Sequence, residues 1–414
     1  MPKRSLAYCF GWEGMCKLSH QVREELPKSS FIVDFHVHIG FADGKPVKIS
    51  AGKTMTLEAV LEGAIQKGID LVGITDGVTG PVRTVWEKLI ARGDLALLAG
   101  GGYRYRDAVT IVPGAEVELR GPHGGAAHFG LFVGNLDAAA SLYEELAHDQ
   151  TNPDLSSQRL NVNFETMADW LDERNGIVII NHAFTPHKGL YGSCVTHASE
   201  MIDLSRAAAL ELGLSADTDM ADRVSELRAT TFVTNSDAHS TPKLAREYHV
   251  ARMDFPDFEN YKRVLRRDGS FQITENVGMW PTLGKYHRSF CLACGAIATI
   301  DQAVCSSCGN KKFTRGVYER LHEVADQEIS SSPDYRPPYR HHIPLDMIPG
   351  IGKRTRDRLL SCFAQELSVM RMATIEELTD CVGPLLANRI DLARHGRLGM
   401  GVGAGGVYGK VLAE

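Results

Sequence analysis

The segment FIVDFHVHIG, residues 31–40, decides how this chain is read. Its first five residues are strand-like, and His36 and His38 follow one residue apart. In an extended chain, alternate side chains share a face, so both imidazoles can reach one point beyond the strand end. Imidazole is a common metal ligand. The segment therefore calls for further ligands at the ends of other strands.

The first 275 residues supply them. Asp76 follows LVGIT (71–75), Glu116 follows VTIVPGA (109–115), His182 follows GIVIIN (176–181), and Asp237 and His239 lie just beyond TFVTN (231–235). His128 instead opens its run, HFGLFVG (128–134). ALELG (209–213) is a further short apolar run. Helical stretches lie between most of these runs. In TLEAVLEGAIQKG (56–68), Leu57, Val60, Leu61, Ala64 and Ile65 share one helical face, Thr56 caps and Gly68 stops. The alternation predicts an α/β fold with a largely parallel, closed sheet. In such a barrel the strands' carboxyl ends converge on one rim. A lone histidine after a strand is commonly structural, and a lone aspartate such as Asp76 commonly caps a helix. The ordered set instead points to two or three divalent metals at the rim, Zn, Mn or Mg.

A chain of 414 residues exceeds one ordinary core. No apolar run approaches membrane-spanning length, and the first 30 residues lack a secretory signal, so no membrane and a cytoplasmic location are expected. The net charge of −6 is uneven. Residues 1–279 carry 28 positive and 37 negative groups, or −9, and residues 280–414 carry 17 and 14, or +3. The back third is the part suited to a polyanion.

Four of the nine cysteines form two pairs, Cys291-x2-Cys294 and Cys305-x2-Cys308, each followed by glycine. Four thiolates at this spacing predict one structural Zn. A redox CxxC would not need the second pair. In LDMIPGIGKRTRDRLLSCF (345–363), Gly350 and Gly352 precede Lys353 and Arg354 in a tight turn between helical stretches. It looks like a helix-hairpin-helix motif, which holds DNA phosphates without reading sequence. A helical connection for protein contact is the competing reading. Lys45, Lys48 and Lys53 in KPVKISAGK (45–53) would serve the same phosphate role, or form a solvated loop.

The order HxH, Asp76, Glu116, His128, His182 and Asp237-x-His239 resembles the polymerase and histidinol phosphatase (PHP) superfamily of phosphoesterases, whose fold is a distorted (β/α)7 barrel. Within it, five stretches are similar to endonuclease Q: GKPVKISAGKTMTL (44–57), NHAFTPHKGLYGS (181–193), ELGLSADTDMAD (211–222), NSDAHSTPKLARE (235–247) and LGKYHRSFCLACG (283–295). The likeness runs through most of residues 31–410.

The resemblance implies a metal-dependent endonuclease that cuts DNA on the 5′ side of deaminated bases (uracil, hypoxanthine, xanthine) and abasic sites. It makes His36, His38, Glu116 and Asp237 ligands of one metal, with Glu116 bridging to a second held by His128 and His182. It gives His239 to a third. Asp76 is followed by Gly77 where many members place a histidine, which leaves Asp76 as the third metal's best remaining partner. Asp237, Glu116 and His182 are the expected catalytic residues. Divalent metals suit this chemistry, because they ionise water near neutral pH and neutralise charge on the attacking and leaving oxygens. A lesion inside a duplex must be flipped out. Phe184 and Tyr191 are candidates to stack on the base and Ser193 to hydrogen-bond it, or all three pack the loop.

Two other readings stay open: a phosphoesterase for a small phosphorylated metabolite, and an inactive DNA-binding protein. DNA with a lesion is the expected partner, and replication or repair proteins are further candidates. The expected organisation is an N-terminal extension (1–30), the barrel (31–280), a zinc module (281–329), a Pro- and Ser-rich linker (330–342), an α-helical hairpin region (343–395) and a Gly-rich tail (396–414). The tail, with seven glycines before Lys410, is expected to be no regular element and no phosphate loop.

Overall fold

The computed structural model describes residues 29–299 and 302–412. All but the last two residues of the expected N-terminal extension fall outside the described residues.

Ten strands run in one continuous path. They are β1 (Ser30–Val37), β2 (Leu71–Ile74), β3 (Val109–Arg120), β4 (Ala126–Phe132), β5 (Ile177–Ile180), β6 (Ala209–Glu211), β7 (Phe232–Val233), β8 (Tyr248–Arg252), β9 (Gln272–Met279) and β10 (Tyr339–His342). Their spatial order is β7-β6-β5-β4-β3-β2-β1-β8-β9-β10. Beyond β7, Val37 bridges Ala238 in parallel, and His38 N–H donates to Ala238 O at 3.0 Å. The seven strands β1–β7 thus curl back on themselves, joined at the rim.

The sheet is mixed rather than largely parallel. β3 pairs antiparallel with β4, and β4 with β5. The short connection from Arg120 to Ala126 explains this, because a tight turn can join only antiparallel neighbours.

β1 carries a register shift between Asp34 and Val37. Before it, Val33 and Phe35 point into the barrel, where Phe35 meets Phe132 and Tyr261 with ring centres 4.5 and 4.4 Å away. After it, Val37 packs outside with Leu57, Val60 and Trp86. A bulge re-aims side chains in this way. It sends His36 and His38 to the inner face that Phe35 had occupied.

The predicted helix at 56–68 is α1 (Leu57–Lys67), with Thr56 Oγ accepting from Ala59 N–H at 3.2 Å. Helix α2 (Gly80–Ala91) packs beside it through Trp86. α3 (Leu136–Asp149) and α4 (Phe164–Glu173) cover the β4–β5 side. α5 (Phe258–Arg266) lends Phe258, Tyr261, Val264 and Leu265 to the barrel interior.

Beyond the barrel, α6 (Val317–Val324) follows the paired cysteines and packs Val317, Leu321 and Val324 onto the barrel's core. Residues 330–342 do not behave as a free linker. Arg336 is buried and forks onto Asp222 at 2.8 and 3.1 Å, and β10 extends the sheet beside β9. A buried bidentate pair of this kind is strong only when both partners stay fixed.

The hairpin region comprises a single 3-10 turn (Leu345–Met347), α7 (Lys353–Phe363), α8 (Glu366–Arg371), α9 (Ile375–Val382) and α10 (Pro384–Arg394) around their own core. Cys362 and Cys381 join α7 to α9 as a disulfide, a pairing that their spacing in the sequence does not predict. The tail holds no helix or strand among the described residues, as expected, but isolated bridges order it. Ala404 and Val407 pair across Gly405-Gly406, both at positive φ, and Met400 pairs with Val411. This is a two-residue β-hairpin, the turn that Gly-Gly favours.

Glu247 is fully buried beneath the rim. Its Oε1 accepts Met279 N–H at 2.9 Å, and its Oε2 has no hydrogen-bond partner among the described residues. Burial, only partly offset by the Met279 N–H and Arg246, pushes its pKa from 4.5 up to about 8. Between those values the folded chain holds a proton that the unfolded chain has released, so stability falls as pH rises through that window. At pH 7 the cost is about 3 kcal/mol. Glu247→Gln is expected to abolish this slope and to raise resistance to urea at pH 9. A variant as pH-sensitive as the parent chain would refute the assignment.

Candidate metal centre

The rim is built from residues at strand ends, and three donor groups form there. They are His36, His38 and Glu116; Glu116, His128 and His182; and His38, Asp237 and His239. Within each group the ligand atoms lie within 4.8 Å of one another. Glu116 belongs to two of them, the position expected for a bridge.

Glu116 lies on β3 opposite Gly130. Its Oε1 lies 3.3 Å from His36 Nε2, 3.1 Å from His128 Nδ1 and 3.5 Å from His182 Nε2. Its Oε2 lies 3.6 Å from His38 Nε2. Asp237 Oδ1 stands 3.5 Å from His36 Nε2 and 3.6 Å from His38 Nε2. His239 Nδ1 is 3.5 Å from the same oxygen. Asp237 and His182 adopt φ of +46° and +29°. Such backbone is strained in non-glycine residues and persists only where its surroundings hold it.

The chemistry of the donors identifies what belongs between them. His36 Nδ1 donates to Glu211 Oε2 at 2.9 Å, and His38 Nδ1 donates to Asp76 Oδ2 at 3.1 Å. Those carboxylates fix the ring protons on Nδ1 and leave each Nε2 with a lone pair. The two Nε2 atoms are only 3.3 Å apart, flanked by carboxylate oxygens. Nitrogen and carboxylate donors gathered this closely suit a divalent cation between them.

The charges agree. Burial presses Glu116 toward its neutral form, but His128 and Lys48 outweigh it and hold the carboxyl well below its ordinary range. Burial works against charge on His36, but Glu211 and Asp237 raise its pKa well above that of an ordinary imidazole, so a cation bound at Nε2 would have to displace a proton from that ring. His38, disfavoured by burial and by Lys48, is held neutral down to about 4.

Several expected site residues lie elsewhere. Asp76 joins none of the three donor groups. It is fully buried behind His38 and also accepts Ile39 N–H at 2.6 Å, so it orients a ligand rather than serving His239. Lys48 does not face solvent as a phosphate contact. Its ammonium donates to Glu116 Oε2 at 2.9 Å and to Ser157 Oγ. Phe184 and Tyr191 are buried against each other, ring centres 5.5 Å apart, and Tyr191 OH donates to Glu226 at 2.9 Å. Neither can stack on a base, because the loop's own core consumes both rings. Ser193 is half-buried and donates to Ala126 O at 2.8 Å. Lys45 and Lys53 are exposed, Lys45 lying 3.7 Å from Asp154.

Sequence reasoning missed Glu211. It ends β6, accepts from His36, from Asn235 Nδ2 at 2.9 Å and from His182 N–H at 3.3 Å. The available signal was an acid inside the apolar run ALELG. Asn181, donating to Glu116 Oε1 at 3.1 Å, was missed as well. Glu211→Gln is expected to weaken Mn2+ binding by about ten- to a hundred-fold, read by titration calorimetry. Unaltered affinity would remove Glu211 from the site's support.

Cys291, Cys294, Cys305 and Cys308 converge as expected, with Sγ atoms of Cys291 and Cys308, and of Cys294 and Cys305, 3.6 Å apart. An all-sulfur set suits Zn. Gly350, at φ +91°, forms the hairpin turn, and Lys353 and Arg354 stand exposed at the start of α7 after Gly352. Lys243 donates to Asp346 at 2.7 Å, tying that hairpin to the loop that carries Asp237 and His239.

No family model matches the chain. It is 40% identical over 382 residues to the uncharacterized protein YqxK of Bacillus subtilis, an alignment covering 91% of this chain and 98% of that protein. It is 34% identical over 260 residues to the uncharacterized protein MJ0043 of Methanocaldococcus jannaschii, covering 56% of this chain and 31% of that one. The crystal structure of the lesion-specific endonuclease PfuEndoQ from Pyrococcus furiosus superposes with a TM-score of 0.79 at 28% identity, over 92% of this chain and 95% of that one. Endonuclease Q in complex with a 27-mer duplex substrate, with an abasic lesion at its active site, gives 0.80 at 28% identity, over 93% and 97%.

The mixed α/β fold, with a curled sheet and His, Glu and Asp donor groups at its strand ends, matches the endonuclease Q structures. More narrowly, the chain belongs to the endonuclease Q family.

Proposed function

We propose that this chain is a DNA repair endonuclease that cuts one strand of duplex DNA on the 5′ side of deaminated bases (uracil, hypoxanthine, xanthine) and of abasic sites. The observation that carries this reading is the rim itself. Three donor groups are linked through Glu116 and His38, each a member of two, in a chain that superposes along nearly its whole length on an endonuclease Q bound to an abasic duplex.

Divalent cations held there would lower the pKa of water and neutralise charge on the scissile phosphodiester. The chain's own residues do the rest. Glu211 and Asp76 orient His36 and His38. Glu116 and Asp237 supply the negative charge that holds the cations, and His182 completes the second group. Lys48, beside Glu116, adds a cationic group at the edge of the rim.

Two recesses flank the rim. One is lined by Arg120, Arg159, His187, Lys188 and Ser193. Its cations suit the polyanionic strand. The other, lined by His182, Glu211, Ser215, Asp237, Lys285 and Tyr286, opens directly on the ligands. Lys353 and Arg354, at the start of α7, grip the duplex backbone away from the lesion.

The test is incubation with Mn2+, Mg2+ or Zn2+ and a duplex bearing one uracil, hypoxanthine or abasic site. Single-strand nicks 5′ to the lesion support the reading. Binding without nicks, or turnover of small phosphate esters alone, overturns it.

A further inference from the structure

The Gly-rich tail touches the metal rim through one side chain. Its hairpin lies along residues 282–285, with Gly403 N–H donating to Thr282 O at 2.7 Å, Gly409 N–H to Leu283 O at 2.9 Å and Gly406 N–H to Lys285 O at 3.2 Å. A Cβ on Gly403 would stand 2.4 Å from Gly284 O, and one on Gly409 would stand 2.2 Å from Gly401 O. Only glycine lets these backbones approach so closely. The composition that looked unstructured is what allows the hairpin to lie flat on the protein.

That placement delivers Tyr408 to Arg246. The phenol oxygen accepts from Arg246 Nη1 at 2.7 Å. Arg246 is 8% exposed, and its other two nitrogens go to the backbone of the ligand loop: Nε donates to Ser236 O at 2.7 Å and Nη2 to Asp237 O at 3.1 Å. A guanidinium is a rigid planar fork, so fixing one nitrogen fixes the direction of the others. Asp237 is the ligand whose backbone is held at φ +46°. Lys285, 5.9 Å from the Tyr408 ring, also borders the recess that opens on His182 and Asp237.

We propose that Tyr408 is a positioning residue of the metal centre: through Arg246 it holds the Ser236–Asp237 backbone in the conformation that presents the Asp237 carboxylate to the cation. The tail is therefore part of the rim's support. This rests on reading the rim as a metal centre, but not on the identity of its substrate.

The experiment compares the full chain with its Tyr408→Phe variant, which loses one oxygen and keeps the ring. Mn2+ binding is followed by electron paramagnetic resonance, beside the thermal unfolding midpoint of the metal-free protein. The expected result is about ten-fold weaker Mn2+ binding, with the unfolding midpoint and the affinity for DNA unchanged. Arg246→Lys, which keeps the charge but cannot reach all three acceptors, is expected to weaken Mn2+ at least as much. Mn2+ affinity of Tyr408→Phe within about two-fold of the parent overturns the proposal. So does a loss that comes with a lower unfolding midpoint, since that marks a merely structural contact. If the parent chain nicks no lesion, the endonuclease reading fails, yet the Mn2+ titration still decides the role of Tyr408.

Discussion

Glu116→Gln is expected to lower the rate of metal-dependent nicking at a lesion by about a thousand-fold, with duplex affinity nearly unchanged. The side chain keeps its size and its place on β3, so the barrel core, which Glu116 does not build, is untouched. What changes is charge. Glu116 is the one carboxylate shared by two donor groups, and it faces His36, His38, His128 and His182 at 3.1–3.6 Å. An amide presents one acceptor oxygen where the carboxylate presents two, and its NH2 must point at His128 or at the Lys48 ammonium. A cation held by either donor group would lose a charged ligand. Several kcal/mol of charge stabilisation, at 1.36 kcal/mol per decade, gives the expected factor. The exposed Lys353 and Arg354 of α7, proposed above to hold the duplex backbone, lie outside this group, which is why binding should survive. A fall of less than about ten-fold would remove Glu116 from the reaction's centre.

Cys305→Ser is expected to release one equivalent of zinc and to unfold residues 290–315 while leaving the barrel folded. The module has almost no core of its own. Among the described residues, Phe290, Cys291, Ala298 and Cys305 are its buried ones, and its only paired strands are Phe290–Cys291 and Phe313–Thr314. Structural zinc contributes on the order of 10 kcal/mol in small zinc peptides, so no packing term here can replace it. The barrel's interior cluster shares no residue with the module. α6 remains docked by Arg320, which donates to Tyr191 O and Val195 O at 2.8 and 2.7 Å. The readouts are zinc content by atomic absorption and hydrogen exchange at Cys291 and Ala298. Retained zinc, or unchanged protection at those amides, would show that the four cysteines are not a structural site.

Much of the rim was legible before any coordinates. His36 and His38, Glu116, and the Asp237-x-His239 pair each stand where a short apolar run ends, and strand ends meet in a barrel. The four cysteines and the Gly350 turn are short-range patterns, readable because a few bonds fix their geometry. Thr56 and Gly68 bounded α1 for the same reason. Less legible were groups whose roles depend on distant partners. Asp76 and Glu211 are both acids at strand ends, and nothing local says that they stand behind the ligands. Phe184 and Tyr191 were available for stacking only until the loop folded onto itself.

The sequence by itself determined the alternation of strands and helices, the chemistry of the donors, the convergence of the four cysteines and the Gly350 turn. These rest on periodicity and spacing, which are properties of neighbouring residues. Only the tertiary structure decided the bulge that turns His36 inward, the mixed pairing of the sheet, the withdrawal of Asp76 from the ligands, the burial of Lys48 against Glu116, and the hairpin that carries Tyr408 to Arg246. Each depends on contacts between residues far apart in the chain. Such contacts form only when the hydrophobic core has closed, and they compete with local preference rather than follow from it.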